Sequence, residues 1–390
     1  MKRWQNPTMQ GENSMKKLLN FCKGGAIASL SILAMLALFA AGCNNSSDTP
    51  YTPPVPQTYT VTVTNGTATP TKAAAGATIT VKANAPESGK VFGKWISLTT
   101  GVTFASETSV ETTFKMPASN VTVAATYYNP AGGIDGLFSV SATKKVYFSK
   151  GNLRATYDGS SWTWSFADHQ YDAVGDAAAN TSINGDGTVS ANGSVDLFGW
   201  VGASSAFTDV AAFGISNSQT KDDYGNVAGE ALKSDWGTNA ISNGGNVANY
   251  GWRTLTKDEW DYVVKTRAGA DSKKGAATVN NVAGWILLPD AWTLPAGVSF
   301  TAGAASEYTT NSYTAEQWAV MESAGAVFLP VTGRRDGSVS SHDVGFYWSA
   351  TSSNTYSAYN ASFTSSGFSN EFPNWTRYKG AAVRLAKDSD

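Results

Sequence analysis

From Thr58 the chain alternates. Tyr59, Val61 and Val63 fall on one side of an extended strand and Thr60, Thr62 and Thr64 on the other, the period of two that a half-buried strand requires. Asn65-Gly66 follows at once, a pair that tolerates the left-handed backbone of tight turns. The alternation returns at Ile79 and Val81 after Gly76, and at Val121 and Val123 after Met116-Pro117. Breaker residues then run from Asn129 through Pro130, Ala131, Gly132 and Gly133 and mark a boundary. The pattern predicts a small β module over 58–128 and one larger domain over 135–387.

Inside the larger domain the period changes twice. Thr256-Lys257-Asp258-Glu259 and Thr314-Ala315-Glu316-Gln317 fit the capping box, in which a threonine hydroxyl and the side chain three residues on satisfy free backbone N–H groups. Trp260 and Trp318 follow directly, with Val263, Val264 and Met321 at helical spacing. Two short amphipathic helices that pack on a sheet by their tryptophans are expected. Elsewhere "KKVYFSKGNL", "WTWSFA" and "GAVFLPVTG" read as short strands between long loops.

Composition narrows the class. Of 390 residues 42% are hydrophobic but only 15% are charged, and glycine (38), tryptophan (13) and tyrosine (16) are abundant. Soluble domains carry roughly 25% charged residues, so this mix fits a β-rich secreted protein with many turns. A net charge of −2 and the lack of any Lys/Arg run argue against nucleic-acid partners, which demand a basic footprint. The two cysteines, Cys22 and Cys43, both precede the folded part, which therefore has no disulfide framework and no thiolate metal ligands.

The N-terminal residues read as an address. Met15-Lys16-Lys17, then Leu18 and Leu19, then an uncharged run from Ala26 to Ala41 have the order of a secretory signal over 1–42 with a start at Met15. The run is shorter than the ~20 apolar residues of a membrane span. Leu38-Phe39-Ala40-Ala41-Gly42-Cys43 resembles a bacterial lipobox, with Ala40 where leucine is usual, and the resemblance implies a lipid on Cys43. Multiple acyl chains anchor stably where one does not. Residues 43–57, "CNNSSDTPYTPPVPQ", are polar and proline-rich and would form an extended tether. The expected location is the cell envelope, lipid-anchored and on the outer membrane; no acidic pair follows Cys43, so nothing fixes which face displays the protein.

Two family resemblances rest on these motifs. "AAGATITVKANAP", "VFGKW" and "MPASNVTVAATY" are similar to the divergent internalin B-repeat family, a β-grasp-like module of bacterial surface proteins, which implies a spacer or adhesion role with Trp95 in the core. "GWRTLTKDEWDYV", "FLPVTGRRDG", "GFYWSAT" and "AAVRL" occur in the order found in the Fibrobacter succinogenes major paralogous domain, a family of Bacteroidetes-type lipoproteins related to C-type lectin-like folds. "KVYFSKGNL" and "DLFGW" resemble it more loosely. The cysteines common near its Gly-Trp-Arg and Val-Arg motifs are missing here. The fold expected is α+β: a small β-grasp-like module followed by a C-type lectin-like domain, β-rich with two short helices. The resemblance places Trp348 in the core, supported by Arg253 and Arg384.

The same resemblance puts the segment after Thr351 on a ligand-binding side. From Gly345 to Asn370 no residue is charged and serine, asparagine, tyrosine and glycine dominate, a palette favoured by binding loops and also tolerated by exposed strands. Candidate contacts are Tyr356, Tyr359, Asn360, Phe363, Phe368, Asn370, Phe372, Asn374 and Trp375. Their character resembles the variable region of proteins diversified by retroelements. The partner would be an extracellular glycan or surface protein; a structural, self-associating envelope protein is the alternative, and a hydrolase using scattered carboxylates ranks third.

Catalysis is poorly served by the sequence. His169 and His342 lack a nucleophile or a metal-binding spacing, formylglycine-generating enzymes of this fold work through cysteines that are missing here, and Asp258 and Glu259 belong to a helix first turn, where negative charge is favourable. No cofactor is expected. Calcium is the one metal the acids raise, through Asn184 to Gly187 with Asp168, Asp172 and Asp176, but the EF-hand spacing is absent.

Overall fold

A strand that opens the first module and one that closes it lie side by side at its centre. β1 (Thr58–Thr64) pairs in parallel with β7 (Val121–Tyr128), in register from Val61 against Val121 to Thr64 against Ala124. β2 (Gly66–Thr69), β3 (Lys72–Ala74), β4 (Thr78–Ala83), β5 (Val91–Ser97) and β6 (Glu111–Lys115) complete two sheets, ordered β3-β1-β7-β5 and β2-β4-β6. Asn65 turns the chain between β1 and β2 at φ 58°. Val61, Ile79, Val81, Val121 and Val123 are buried between the sheets around Trp95, whose indole N–H donates to the Ser109 carbonyl at 3.1 Å. The alternation read from the sequence is thus the inward face of a two-sheet core.

The computed structural model describes residues 56–157, 161–173, 194–200, 235–245, 251–303, 307–336, 339–341, 344–354, 356–369 and 373–389. The expected secretory segment, Cys43 and the expected tether up to Val55 lie outside the described residues, as do Asp176, Asn184 to Gly187 and His342. No helix of the described residues is long and apolar enough to cross a membrane.

The larger part is β-rich with few helices. Its strands are β8 (Phe138–Ser139), β9 (Lys145–Phe148), β10 (Leu153–Tyr157), β11 (Trp162–Phe166), β12 (Ser194–Val195), β13 (Trp252–Thr254), β14 (Lys274–Val279), β15 (Val282–Leu287), β16 (Asn311–Tyr313), β17 (Val327–Pro330), β18 (Arg334–Asp336), β19 (Val339–Ser341), β20 (Gly345–Asn354), β21 (Ser357–Thr364), β22 (Gly367–Phe368), β23 (Asn374–Thr376) and β24 (Leu385–Asp388). They form small sheets ordered β11-β10-β12, β13-β24-β9-β8, β16-β14-β15-β17 and β18-β19, with β20-β21-β22 extended by β23 on β21. Two tryptophan-rich clusters fill the space between them, one around Trp164, Trp200, Trp236 and Trp348, the other around Trp260, Trp285 and Tyr347.

Both expected helices form, each with its capping box. α1 (Lys257–Asp261) starts where the Glu259 N–H donates to the Thr256 hydroxyl at 3.2 Å and the Thr256 N–H to the Glu259 carboxylate at 2.9 Å. α2 (Ala315–Ser323) repeats this between Thr314 and Gln317 at 3.2 and 2.9 Å. Trp260 and Trp318 are buried as expected. The first helix is shorter than its apolar spacing suggested: after Asp261 the chain widens into a π-helical turn over Tyr262–Thr266, which still buries Val263 and Val264. Changing Thr314 to alanine should cost about 1 kcal/mol of stability through the lost cap, read as a lower urea midpoint at unchanged slope.

The boundary at 129–133 does not separate two free modules. The described residues from Pro56 onward belong to one compact unit. The Tyr127 N–H donates to the Ser323 hydroxyl at 3.2 Å, at the end of α2, and Lys90 lies 3.5 Å from the Asp135 carboxylate. One glycine allows the approach: a Cβ on Gly297, at φ 84°, would sit 2.6 Å from the Leu98 side chain.

Candidate functional site

β20 and β21 pair as an antiparallel ribbon whose two halves differ. At its base Gly345 faces Phe363, Phe346 faces Ser362, Tyr347 faces Ala361 and Trp348 faces Asn360, and all are buried. A shift in register between Trp348 and Ser352 marks a bulge, which bends a strand and re-aims the side chains beyond it. The Ser349 hydroxyl donates to the Tyr359 carbonyl at 2.8 Å across it. Past the bulge the ribbon emerges, with Thr351, Ser352 and Ser353 partly exposed and Asn354 exposed.

This outer half is braced from the side. The Ala350 N–H donates to the Leu255 carbonyl at 2.8 Å and the Lys257 N–H, at the start of α1, to the Thr351 hydroxyl at 3.0 Å. The Lys257 ammonium sits 5.5 Å from the centre of the Tyr359 ring, within cation–π range. Asn374 stands opposite Tyr359 on β23 and donates to the Ser353 hydroxyl at 2.9 Å. Directly opposed residues share a sheet face, so Tyr359, Asn374 and Lys257 form one patch. Tyr356 at the turn exposes 51% of its surface, the largest uncommitted aromatic area of the ribbon.

Trp375 pairs with Ala358 and therefore points to the opposite face. Its ring stacks on Phe346 at 4.5 Å between centroids, with Trp348 at 6.1 Å. The Lys379 ammonium and the Arg334 guanidinium lie 4.8 and 5.4 Å from its centre, and Lys379 is held by Asp336 at 2.9 Å. Trp375 is half-buried and already covered.

The predicted contacts therefore separate. Tyr356, Tyr359 and Asn374 are accessible, Asn374 directly opposite Tyr359 and Tyr356 at the turn. Asn360 and Phe363 are not surface residues, a correction to the sequence reading: both are 1% exposed, because they lie on the ribbon's buried base. Asn360 donates to the Pro373 carbonyl at 2.9 Å, and Phe363 stacks on Tyr347 at 6.0 Å. Phe368 is half-buried against Phe363 and Trp285. Asn370 and Phe372 lie outside the described residues. The cations Lys257, Arg334 and Lys379 escaped sequence reading because each comes from outside the uncharged stretch.

Trp348 and Arg384 are fully buried, while Arg253 is half-buried. Neither arginine holds Trp348, whose indole N–H donates to the Phe198 carbonyl at 2.6 Å. Arg253 grips Glu259 at 2.7 Å and Asp388 at 2.6 Å, so Glu259 serves both the cap and an ion pair while Asp258 faces solvent. Glu259 and Asp388 hold the Arg253 pKa above its ordinary value against the opposing effect of burial. His169 stacks on Tyr171 at 5.0 Å with Asp172 at 3.2 Å. Among the described residues no three His, Cys, Asp or Glu side chains gather as metal ligands. The ribbon offers hydroxyls, amides and aromatic faces, which suit noncovalent recognition.

Comparison with known families decides the first module. Residues 58–130 match the divergent InlB B-repeat domain. No curated protein and no solved structure matches the chain significantly. The repeat thus spans β1 to β7 and ends at the breaker residues, and its Trp95 is a core residue. Its docking on α2 through Tyr127 and Ser323 makes it part of the larger body.

Proposed function

We propose that this protein is a cell-envelope lipoprotein, anchored through Cys43, whose larger domain adopts a C-type lectin-like fold and recognises an extracellular glycan or surface protein without chemistry. The observation that carries the reading is the contrast along one ribbon: a buried, fully packed base and a braced outer half that presents Tyr356, Tyr359 and Asn374. Rigid aromatic and amide groups on a fixed scaffold lose little entropy on binding. The InlB repeat, frequent in surface proteins by its resemblance, agrees with a location outside the cytoplasm.

The test is binding of the full chain to glycan and surface-protein arrays, beside a Tyr356→Ala/Tyr359→Ala variant. The variant should lose binding by about tenfold or more, ~1.4 kcal/mol, while its melting temperature stays within about 2 °C, since exposed positions have little stability to lose. Equal binding by both proteins removes the ribbon from the site. Self-association of the wild type that the variant lacks, seen by sedimentation, replaces ligand recognition with packing between copies.

A further inference from the structure

A groove of about 590 Å³ runs between the repeat and the larger domain, with no residue of the ribbon in its lining. Its volume falls within the ~300–1,000 Å³ of small-molecule sites. One wall comes from the repeat, through Asn84, Glu87, Lys90 and Tyr127; the other comes from Asp135, the Leu294 loop and α2. Neither module has the site alone.

Its chemistry is mixed and nearly balanced. Lys90 lies between two carboxylates, 2.9 Å from Glu87 and 3.5 Å from Asp135. Glu87 leaves 82% of its side chain exposed, while Lys90 and Asp135 retain 18% and 15%. Leu294, 45% exposed, places an aliphatic surface beside them. The backbone at this wall is already satisfied: the Tyr127 hydroxyl donates to the Asn84 carbonyl at 2.7 Å, the Asn84 N–H donates to the Asn65 carbonyl at 3.0 Å, and β1 is paired through Thr64. These wall groups offer a peptide no open strand edge to extend.

We infer that this groove is a second binding site, for a short neutral oligosaccharide. Sugar hydroxyls both donate and accept, matching the free lone pairs of Glu87 and Asp135 and the donors of Lys90 and the Asn84 amide, and a sugar's C–H face matches Leu294. An anionic ligand meets two carboxylates against one ammonium, an arrangement that selects against it. The inference is independent of the ribbon and needs the docked repeat.

The experiment uses the full chain carrying Tyr356→Ala/Tyr359→Ala, so that the groove alone is read, titrated calorimetrically with cellotriose, chitotriose, maltotriose and trigalacturonate. Saturable binding of at least one neutral trisaccharide is expected, weaker by about tenfold or more for trigalacturonate and for the same ligand after the exposed Leu294 is changed to glutamate. Silence of all three neutral sugars overturns the site. Binding that Leu294→Glu leaves intact overturns its location, and preference for trigalacturonate overturns its selectivity.

Discussion

Replacing Arg384 by leucine should remove roughly 3–5 kcal/mol of stability, the cost of breaking one partner out of a buried polar network. Arg384 is fully buried. It donates to the Gln170 side-chain carbonyl at 2.5 Å, and its other terminal nitrogen lies 3.3 Å from the Asn152 amide oxygen and 3.4 Å from the Phe328 carbonyl. Gln170 in turn donates to Glu322 and to the Ala326 carbonyl, both at 3.0 Å, and accepts the Phe328 N–H at 2.8 Å. Asn152 donates to the Tyr347 hydroxyl at 3.2 Å, and that hydroxyl to the Pro330 carbonyl at 2.8 Å. The network thus ties β17 and the base of β20 to the residue that leads into β24.

The deficit should depend on pH in a definite direction. Burial pushes the Glu322 carboxyl above its ordinary range, while bonds from Gln170 and the charge of Arg384 pull it back. An acid whose pKa is raised by folding costs nothing while protonated in both states, and its cost is fully expressed above the folded pKa. Arg384, itself lowered by burial to about 10, remains charged at neutral pH and offsets that cost. Without it the Glu322 penalty grows, so Arg384→Leu should lose more stability at pH 8 than at pH 5 in urea titrations. A deficit equal at both pH values would disprove the coupling to Glu322, and one below about 1 kcal/mol would disprove the network as a source of stability.

Trp348→Ala should be as costly, roughly 3–5 kcal/mol from lost burial and the cavity left behind. Its ring is wholly enclosed in the cluster that also holds Phe198, Trp200 and Trp236. Trp348→Phe should cost less than half as much. The Phe198 carbonyl that loses the indole N–H still accepts from the Ala381 N–H at 3.0 Å, so no buried acceptor is orphaned. Thermal unfolding of the two variants separates cavity from hydrogen bond; similar losses would put the weight on the bond. Because Trp375 leans on Trp348, the alanine variant should also quench differently at Trp375, on the face of the ribbon away from Tyr359.

Features that depend on neighbours in sequence were the legible ones. The β1 alternation, the Asn65 turn, both capping boxes and the buried tryptophans that follow them are all decided within a few residues, where backbone sterics and local hydrogen bonds dominate. Parallel pairing of β1 with β7 and the docking of the repeat on α2 depend on surfaces far apart in the chain. The Arg384 to Gln170 bond spans 214 residues, and nothing in either local sequence announces it. Within the candidate site the polar, uncharged character of 345–370 was legible, but the depth at which the ribbon enters the core was not. Asn360 and Phe363 have the composition of contacts and the position of core residues, since only the bulge after Trp348 decides where exposure begins.

Strand β24 lies between β13 and β9, with Ala386 opposite both Arg253 and Phe148. Parallel or long-range pairings close late, because the loop must be ordered before contacts reward it. During synthesis β9 and β13 therefore wait, each with an open edge, until residues 385–388 have been made. Until then the larger domain is an unfinished sheet, and its two open edges need protection from neighbouring chains.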